Sequence, residues 1–197
     1  MDGVIARRVR YGSLSVVEAG DRSAPALVLL HGIGSSGDAF LGQADLQMGG
    51  LADRWRLLAP DAPGYGASDD PPEAPGIDGF ADGVARLIED AGVAEAVLLG
   101  VSWGGVIATR FALRHAERLK ALVLADTSRG SGFDSKQAGM MRQRARDYAA
   151  DPAAFVRDRT PLLVADGCPV DVVEGVARIM EEACRMPGYG HAAESLA

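Results

Sequence analysis

Residues 100 to 104 read Gly-Val-Ser-Trp-Gly and join an apolar run, "AVLLGV" at 96 to 101, to a stretch of helical character that begins at Trp103. A serine with glycines two places before and two places after it, at a strand-to-helix turn, is held on a tight bend with its hydroxyl presented at the edge of a sheet. The helix that follows aims its positive end at the same spot, where it favours a developing oxyanion. The chemistry this pattern points to is nucleophilic attack by Ser102. A serine hydroxyl at neutral pH is inert without a base, so a partner for it has to be found. The alternative is a serine that merely caps the helix in a tight turn.

A second glycine-rich turn, "LLHGIGSSG" at 29 to 37, follows another apolar run. Gly32, Gly34 and Gly37 spell G-x-G-x-x-G, and Asp61 closes the next strand, which is the spacing of a dinucleotide-binding turn. Against that stand a hairpin ahead of the strand, His31 before the first glycine, and a second such turn bearing a serine that a dinucleotide site does not require. The favoured reading makes this loop half of an oxyanion hole, the backbone N–H of Ile33 pairing with that of Trp103.

The elements that must position these turns are legible from apolar patterning. Alternation from Val4 to Tyr11, a break at Gly12 and a second run from Leu14 to Glu18 predict an antiparallel hairpin. "ALVLL" at 26 to 30, "RLLAP" at 56 to 60, "AVLLGV" at 96 to 101 and "KALVLA" at 120 to 125 are continuous apolar runs, the pattern of strands covered on both faces. Between them Phe80, Val84, Leu87, Ile88 and Ala91 fall at helical spacing, with Asp78 as the N-cap and Gly92 past the end. A second helix runs from Trp103 to His115. Strands alternating with helices predict an α/β fold, a doubly wound and mainly parallel sheet with ligands at the carboxyl ends of its strands. From Lys136 onward the chain reads as helices only, with Val172, Val173, Val176, Ile179, Met180 and Ala183 forming an apolar stripe.

A third landmark, "LLAPDAPGYGASD" at 57 to 69, completes a set. His31-Gly32 after the third strand, Asp61-x-Pro63-Gly64-x-Gly66-x-Ser68-Asp69 after the fourth and Gly100-x-Ser102-x-Gly104-Gly105 after the fifth resemble the α/β-hydrolase family, over about residues 1 to 127. The resemblance implies an esterase-like or lactonase-like serine hydrolase, with Ser102 as nucleophile in an acyl-enzyme mechanism and the Ile33 and Trp103 amides as oxyanion donors. Asp61 and Asp69 would order their own turns. The helices from 131 to 197 resemble the lid that family members insert after the sixth strand, leaving 1 to 130 as the core. Asp126, at the end of the sixth strand, stands where some relatives place the acid of their triad.

The family's chain order is serine, then acid, then histidine. His115 lies on the same predicted helix as Ser102, about 20 Å away at 1.5 Å per residue, and is excluded by geometry. His191 follows no strand and sits near the start of the last lid helix. His31 ends a neighbouring strand, but in the family that histidine shapes its loop. No base is therefore identified. No buried strand follows the sixth before Ala197, so the family's final strands are expected to be missing and the chain to stop early. That leaves the sixth strand as an open apolar edge, and a homodimer through it is expected.

Composition narrows the partners. With 197 residues, 48% of them hydrophobic, one globular unit with a sizeable core is expected. A net charge of -7 argues against nucleic acid or an anionic membrane as partner. Arg7, Arg8 and Arg10, the basic cluster near the start, read as a solvated strand face. No apolar run has membrane-spanning or signal-peptide length, so the cytoplasm is the expected location. Cys168 and Cys184 have no metal-ligand spacing and read as free thiols. Serine acyl transfer needs no metal or organic cofactor, and none is expected. Trp103 with Met140, Met141, Met180 and Met186 suggests an apolar, adaptable pocket for a small ester or lactone, unless the methionines are ordinary core. The competing reading, motivated by the missing base, is a non-catalytic binding protein that keeps the pocket for a small ligand.

Overall fold

A computed structural model describes residues 6–41 and 49–197. Six strands form one sheet: β1 (Arg7–Tyr11), β2 (Leu14–Ala19), β3 (Ala26–Leu30), β4 (Arg56–Pro60), β5 (Ala96–Val101) and β6 (Leu119–Ala125), in the order β1-β2-β4-β3-β5-β6. The hairpin β1–β2 and the β2–β4 pair are antiparallel, and β4, β3, β5 and β6 run parallel. The expected strands are all present. Val4 and Ile5, at the start of the predicted hairpin, lie outside the described residues.

The helices are α1 (Gly49–Ala52), α2 (Gly76–Asp90), α3 (Trp103–Arg114), α4 (Ser135–Ala150), α5 (Pro152–Arg159), α6 (Val170–Ala183) and α7 (Gly188–Leu196). Strand alternation sends Val16, Val28, Leu30, Leu58 and Leu98 to the face where Phe80, Val84, Leu87 and Ile88 of α2 and Ile107 and Phe111 of α3 pack. Val17, Leu27, Leu29, Leu57 and Ala59 point the other way, against Phe40, Ala52 and Trp55. Both faces of the central strands are thereby covered, which is why they read as unbroken apolar runs. No helix among the described residues is long and apolar enough to cross a membrane.

The sixth strand departs from that pattern. Its sequence resembles the buried strands, yet it ends the sheet, and Val123 and Leu124 are 45% and 47% exposed. The stripe on α6 is likewise only partly covered: Met180 and Ala183 are buried, while Val172, Val173, Val176 and Ile179 are half-buried. The methionines do not share one surface. Met141 and Met180 belong to the core, and Met140 and Met186 are exposed.

One local expectation is corrected. Asp78 does not cap α2, which starts at Gly76 behind Pro75 without a side-chain cap; its carboxylate instead takes Arg110 and Arg114 from α3. A bidentate guanidinium is a stronger partner than a backbone amide. The N-terminal arginines do lie on an exposed strand face, and each also reaches a carboxylate. Arg7 reaches buried Glu18 at 3.2 Å, Arg8 reaches buried Asp61 at 2.7 Å, and Arg10 reaches Asp69 at 2.7 Å. Both cysteines are free; Cys184 is buried, which pushes its thiol up to about 12.

Glu18 also accepts from buried Arg56 at 2.9 Å and from Arg22 at 3.2 Å. Burial alone would raise its carboxyl above the ordinary 4.5, but the hydrogen bonds and charges of Arg22 and Arg56 outweigh it, and the net shift is downward. A lowered folded value means stability that is present above the unfolded value and lost as pH falls through the folded one. Glu18→Gln is accordingly expected to lower stability at pH 7 by about 1–3 kcal/mol. Melting temperatures from pH 7 to pH 3 should then fall less steeply for the variant than for the parent; parallel curves would contradict this.

Candidate functional site

After β3 the chain moves to β4 on one side of it, and it later returns to β5 on the other. In open α/β sheets the crevice at such a reversal, outside the carboxyl ends of the strands, is where ligands sit. The turns after β3 and β5 meet there: a Cβ built on Gly32 would stand 3.5 Å from the Ser102 Cβ.

Ser102 joins β5 to α3 with φ 52 and ψ -115, a left-handed conformation that costs a non-glycine residue energy. Its surroundings impose that conformation. The Ser102 N–H donates to the Ala125 carbonyl on β6 at 2.9 Å, and the Ser102 carbonyl accepts from Gly105 N–H at 3.0 Å. The two motif glycines are needed for close approach. A Cβ on Gly100 would lie 2.4 Å from the Gly104 carbonyl oxygen, and one on Gly104 would lie 2.2 Å from the Leu30 carbonyl oxygen. Although Ser102 holds the N-cap position, its hydroxyl caps nothing. A capping serine has extended backbone and a bonded hydroxyl, so this half-buried side chain is not a cap.

Trp103 is the first residue of α3, and its N–H is one of the four at a helix start that lack an intrahelical acceptor. Its ring is 1% exposed and packs against Phe80, Tyr65 and His31, with centroids 4.9, 5.6 and 5.9 Å apart. Ile33 is half-buried in the loop after β3, between Gly32 at the serine and Gly34 at φ 84. The loop is anchored from β4: Asp61, fully buried, accepts from Gly37 N–H at 2.9 Å, from Ala67 N–H at 3.0 Å and from Arg8 at 2.7 Å. Asp61 thus ties three segments together instead of ordering only its own turn. So engaged, it is not free to bind a ribose.

His31 is committed as well. Its Nδ1 donates to the Gly32 carbonyl at 2.8 Å and its Nε2 accepts from Ala62 N–H at 3.0 Å, which fixes one neutral tautomer. Burial lowers its pKa, outweighing the Gly32 hydrogen bond and the Asp61 charge that push it up. It buckles the two loops together. His115 ends α3 and its Nε2 meets Asp82 of α2 at 2.8 Å. His191 lies half-buried on α7 with Nδ1 buried and unpartnered. Among the described residues none of the three hydrogen-bonds Ser102. Asp126 is exposed just beyond β6 with φ 49, and the pairing of Val101 with Ala125 sets it beside Ser102 at the sheet edge.

The helical segment after β6 rests on these loops. Arg185 donates to the Gly66 carbonyl at 2.9 Å and pairs with Asp70 at 2.9 Å, Gly188 lies against Gly64, and the Trp103 indole N–H donates to Ser195 Oγ at 3.0 Å. Sequence reasoning missed Arg185, Ser195 and Tyr65. Only Tyr65, an aromatic between two turn glycines, carried a local signal. A small apolar cavity of about 20 Å³ is lined by Leu30, His31, Phe80, Val84, Trp103 and Ile107 among others, and Ser102 does not line it.

The sequence model of the alpha/beta hydrolase fold matches residues 25–165, more than half of the chain. Among curated relatives, the chain is 35% identical over 111 residues to the magnesium-chelatase 30 kDa subunit of Rhodobacter capsulatus, covering 55% of this chain and 38% of that one. It is 39% identical over 104 residues to the pimeloyl-[acyl-carrier protein] methyl ester esterase of Chromobacterium violaceum, covering 53% and 37%. The chain thus spans less than half the length of these relatives. Among solved structures, a thermophilic esterase from Thermogutta terrifontis superposes with a TM-score of 0.80 at 25% identity, over 97% of this chain and 71% of that one. Strand order, the strained serine turn and the matched span agree: the chain belongs to the alpha/beta hydrolase fold family.

Proposed function

We propose that the chain is the nucleophile-bearing part of a serine hydrolase of small esters or lactones. The observation that carries this reading is Ser102, held at a positive φ with a hydroxyl that caps nothing, against the Gly32 turn at the switch point of the sheet. Ser102 Oγ would attack the carbonyl carbon while the N–H groups of Ile33 and Trp103 receive the oxyanion; the alkoxide leaves as the acyl-enzyme forms, and water then releases the acid. A hydroxyl at this position suits acyl transfer, and the esterases of Chromobacterium and Thermogutta support an ester as substrate. Residues 131 to 197 act as the lid over a core of 1 to 130, and Asp126 is the candidate acid. The base is a group other than His31, whose two ring nitrogens are taken, and His115, which sits past the far end of α3 with its Nε2 on Asp82. The test is acylation by 4-nitrophenyl acetate, in the parent and in Ser102→Ala.

The same engaged histidines favour a second reading, a binding protein that keeps the site without turnover. A short-chain lactone that raises the melting temperature and is recovered unconsumed would establish it.

We further infer that the open β6 edge pairs with a second copy of the chain, since an unpaired strand with exposed Val123 and Leu124 is a template for strand addition. Light scattering at high concentration is expected to give a dimer or larger mass. A clean monomer overturns this.

A further inference from the structure

The indole N–H is the single polar group of a side chain that is otherwise sealed among Phe80, Tyr65 and His31. A buried indole N–H needs an acceptor. Here it comes from the far end of the chain, Ser195 Oγ on α7, at 3.0 Å. The Ser195 hydroxyl sends its own hydrogen to the Ala192 carbonyl at 2.8 Å, so its only donor is used within the helix and a lone pair is left facing Trp103. Other contacts hold α7 in place without touching Trp103. Tyr189 packs on Tyr148 and Phe155, and Glu194 takes Arg142 at 2.7 Å.

We propose that Ser195 is a positioning residue for the amide of Trp103, coupling the docking of the last lid helix to the geometry of the oxyanion hole. The assignment of that amide rests on the acyl-transfer reading above; the coupling goes beyond it. A strained residue persists only where its neighbours over-determine it. On one side Ser102 is held by β6 through Ala125 and by the close-packed glycines. On the other side its neighbour is Trp103, whose ring is caged by non-directional aromatic packing and oriented by one directional bond. Without that bond the ring can tilt in its cage, and the first peptide of α3 tilts with it.

The test uses n-butylboronic acid, measured by calorimetry. The Ser102 Oγ adds to boron, the serine proton passes to solvent, and the four-coordinate boronate anion presents an oxygen to the two amides as a tetrahedral intermediate would. Ser195→Ala is expected to weaken this binding about three- to tenfold. Ser195→Thr, which keeps the hydroxyl, should stay within about twofold. In a Trp103→Phe background Ser195→Ala should add nothing, an outcome that general loss of stability cannot mimic once all variants are measured well below their melting temperatures. Parent-like binding by Ser195→Ala overturns the proposal, as does an undiminished loss in the Trp103→Phe background. Ser102→Ala separates the two readings. If it binds the boronate as the parent does, or if the parent binds none, acyl transfer falls and the coupling with it. If Ser102→Ala alone loses binding, only the coupling falls.

Discussion

Replacing Ser102 by alanine is expected to abolish acylation of the chain by 4-nitrophenyl acetate. The parent should release nitrophenolate up to about one equivalent per chain and then slow, because attack on an activated ester draws on the oxyanion hole and binding, whereas deacylation needs a base to activate water. No histidine among the described residues is hydrogen-bonded to Ser102, so turnover is expected to lie orders of magnitude below that of a complete triad, in which base and nucleophile act as a unit. The variant keeps the fold, since the Ser102 side chain makes no capping bond, and should give neither the burst nor an acetyl group on the peptide containing residue 102. An equal burst in parent and variant would rule out Ser102 as nucleophile.

The second large effect is on stability. Asp61→Ala is expected to cost about 3–5 kcal/mol, because it strips charge-assisted hydrogen bonds from Gly37 N–H, Ala67 N–H and Arg8 at once. Against a total of about 5–15 kcal/mol for a typical domain, that loss is a large fraction. Most of it comes from the amides, since the Arg8 side chain is 35% exposed and can be rehydrated, so its lost pairing adds little. Asp61→Asn, which keeps an acceptor for Gly37, should lose less. Urea unfolding of the two variants checks the order, and an Asp61→Ala midpoint close to the parent's would refute it. The loop bearing Ile33 loosens with the loss of Gly37, so butylboronate binding at low temperature should weaken in parallel.

Why some of this was readable in the chain and some was not follows from the range of the interactions. The central strands are continuous apolar runs because both faces are covered, and the turn at 100 to 104 needs glycines because its backbone atoms approach one another; both demands are local and leave a local trace. Asp78 was misread because a cap is a local inference, while Arg110 and Arg114 arrive from another helix. The N-terminal arginines are exposed as the alternation implied, but their partners Glu18, Asp61 and Asp69 lie elsewhere in the chain and left no local sign. The sixth strand's place at the sheet edge was expected, but the exposure of its faces was not, since composition records apolarity and not whether a neighbour covers it.

Sequence by itself determined the family resemblance, the succession of apolar strands behind a hairpin, and Ser102 on its turn, because each follows from spacing within a few residues. Only the tertiary structure decided that His31 is a neutral clasp between two loops, that Asp61 binds three segments, and that Trp103 is held by Ser195. Those roles depend on which donors and acceptors face one another after the chain has closed on itself, and directional hydrogen bonds between distant residues leave no periodicity in the chain to be read.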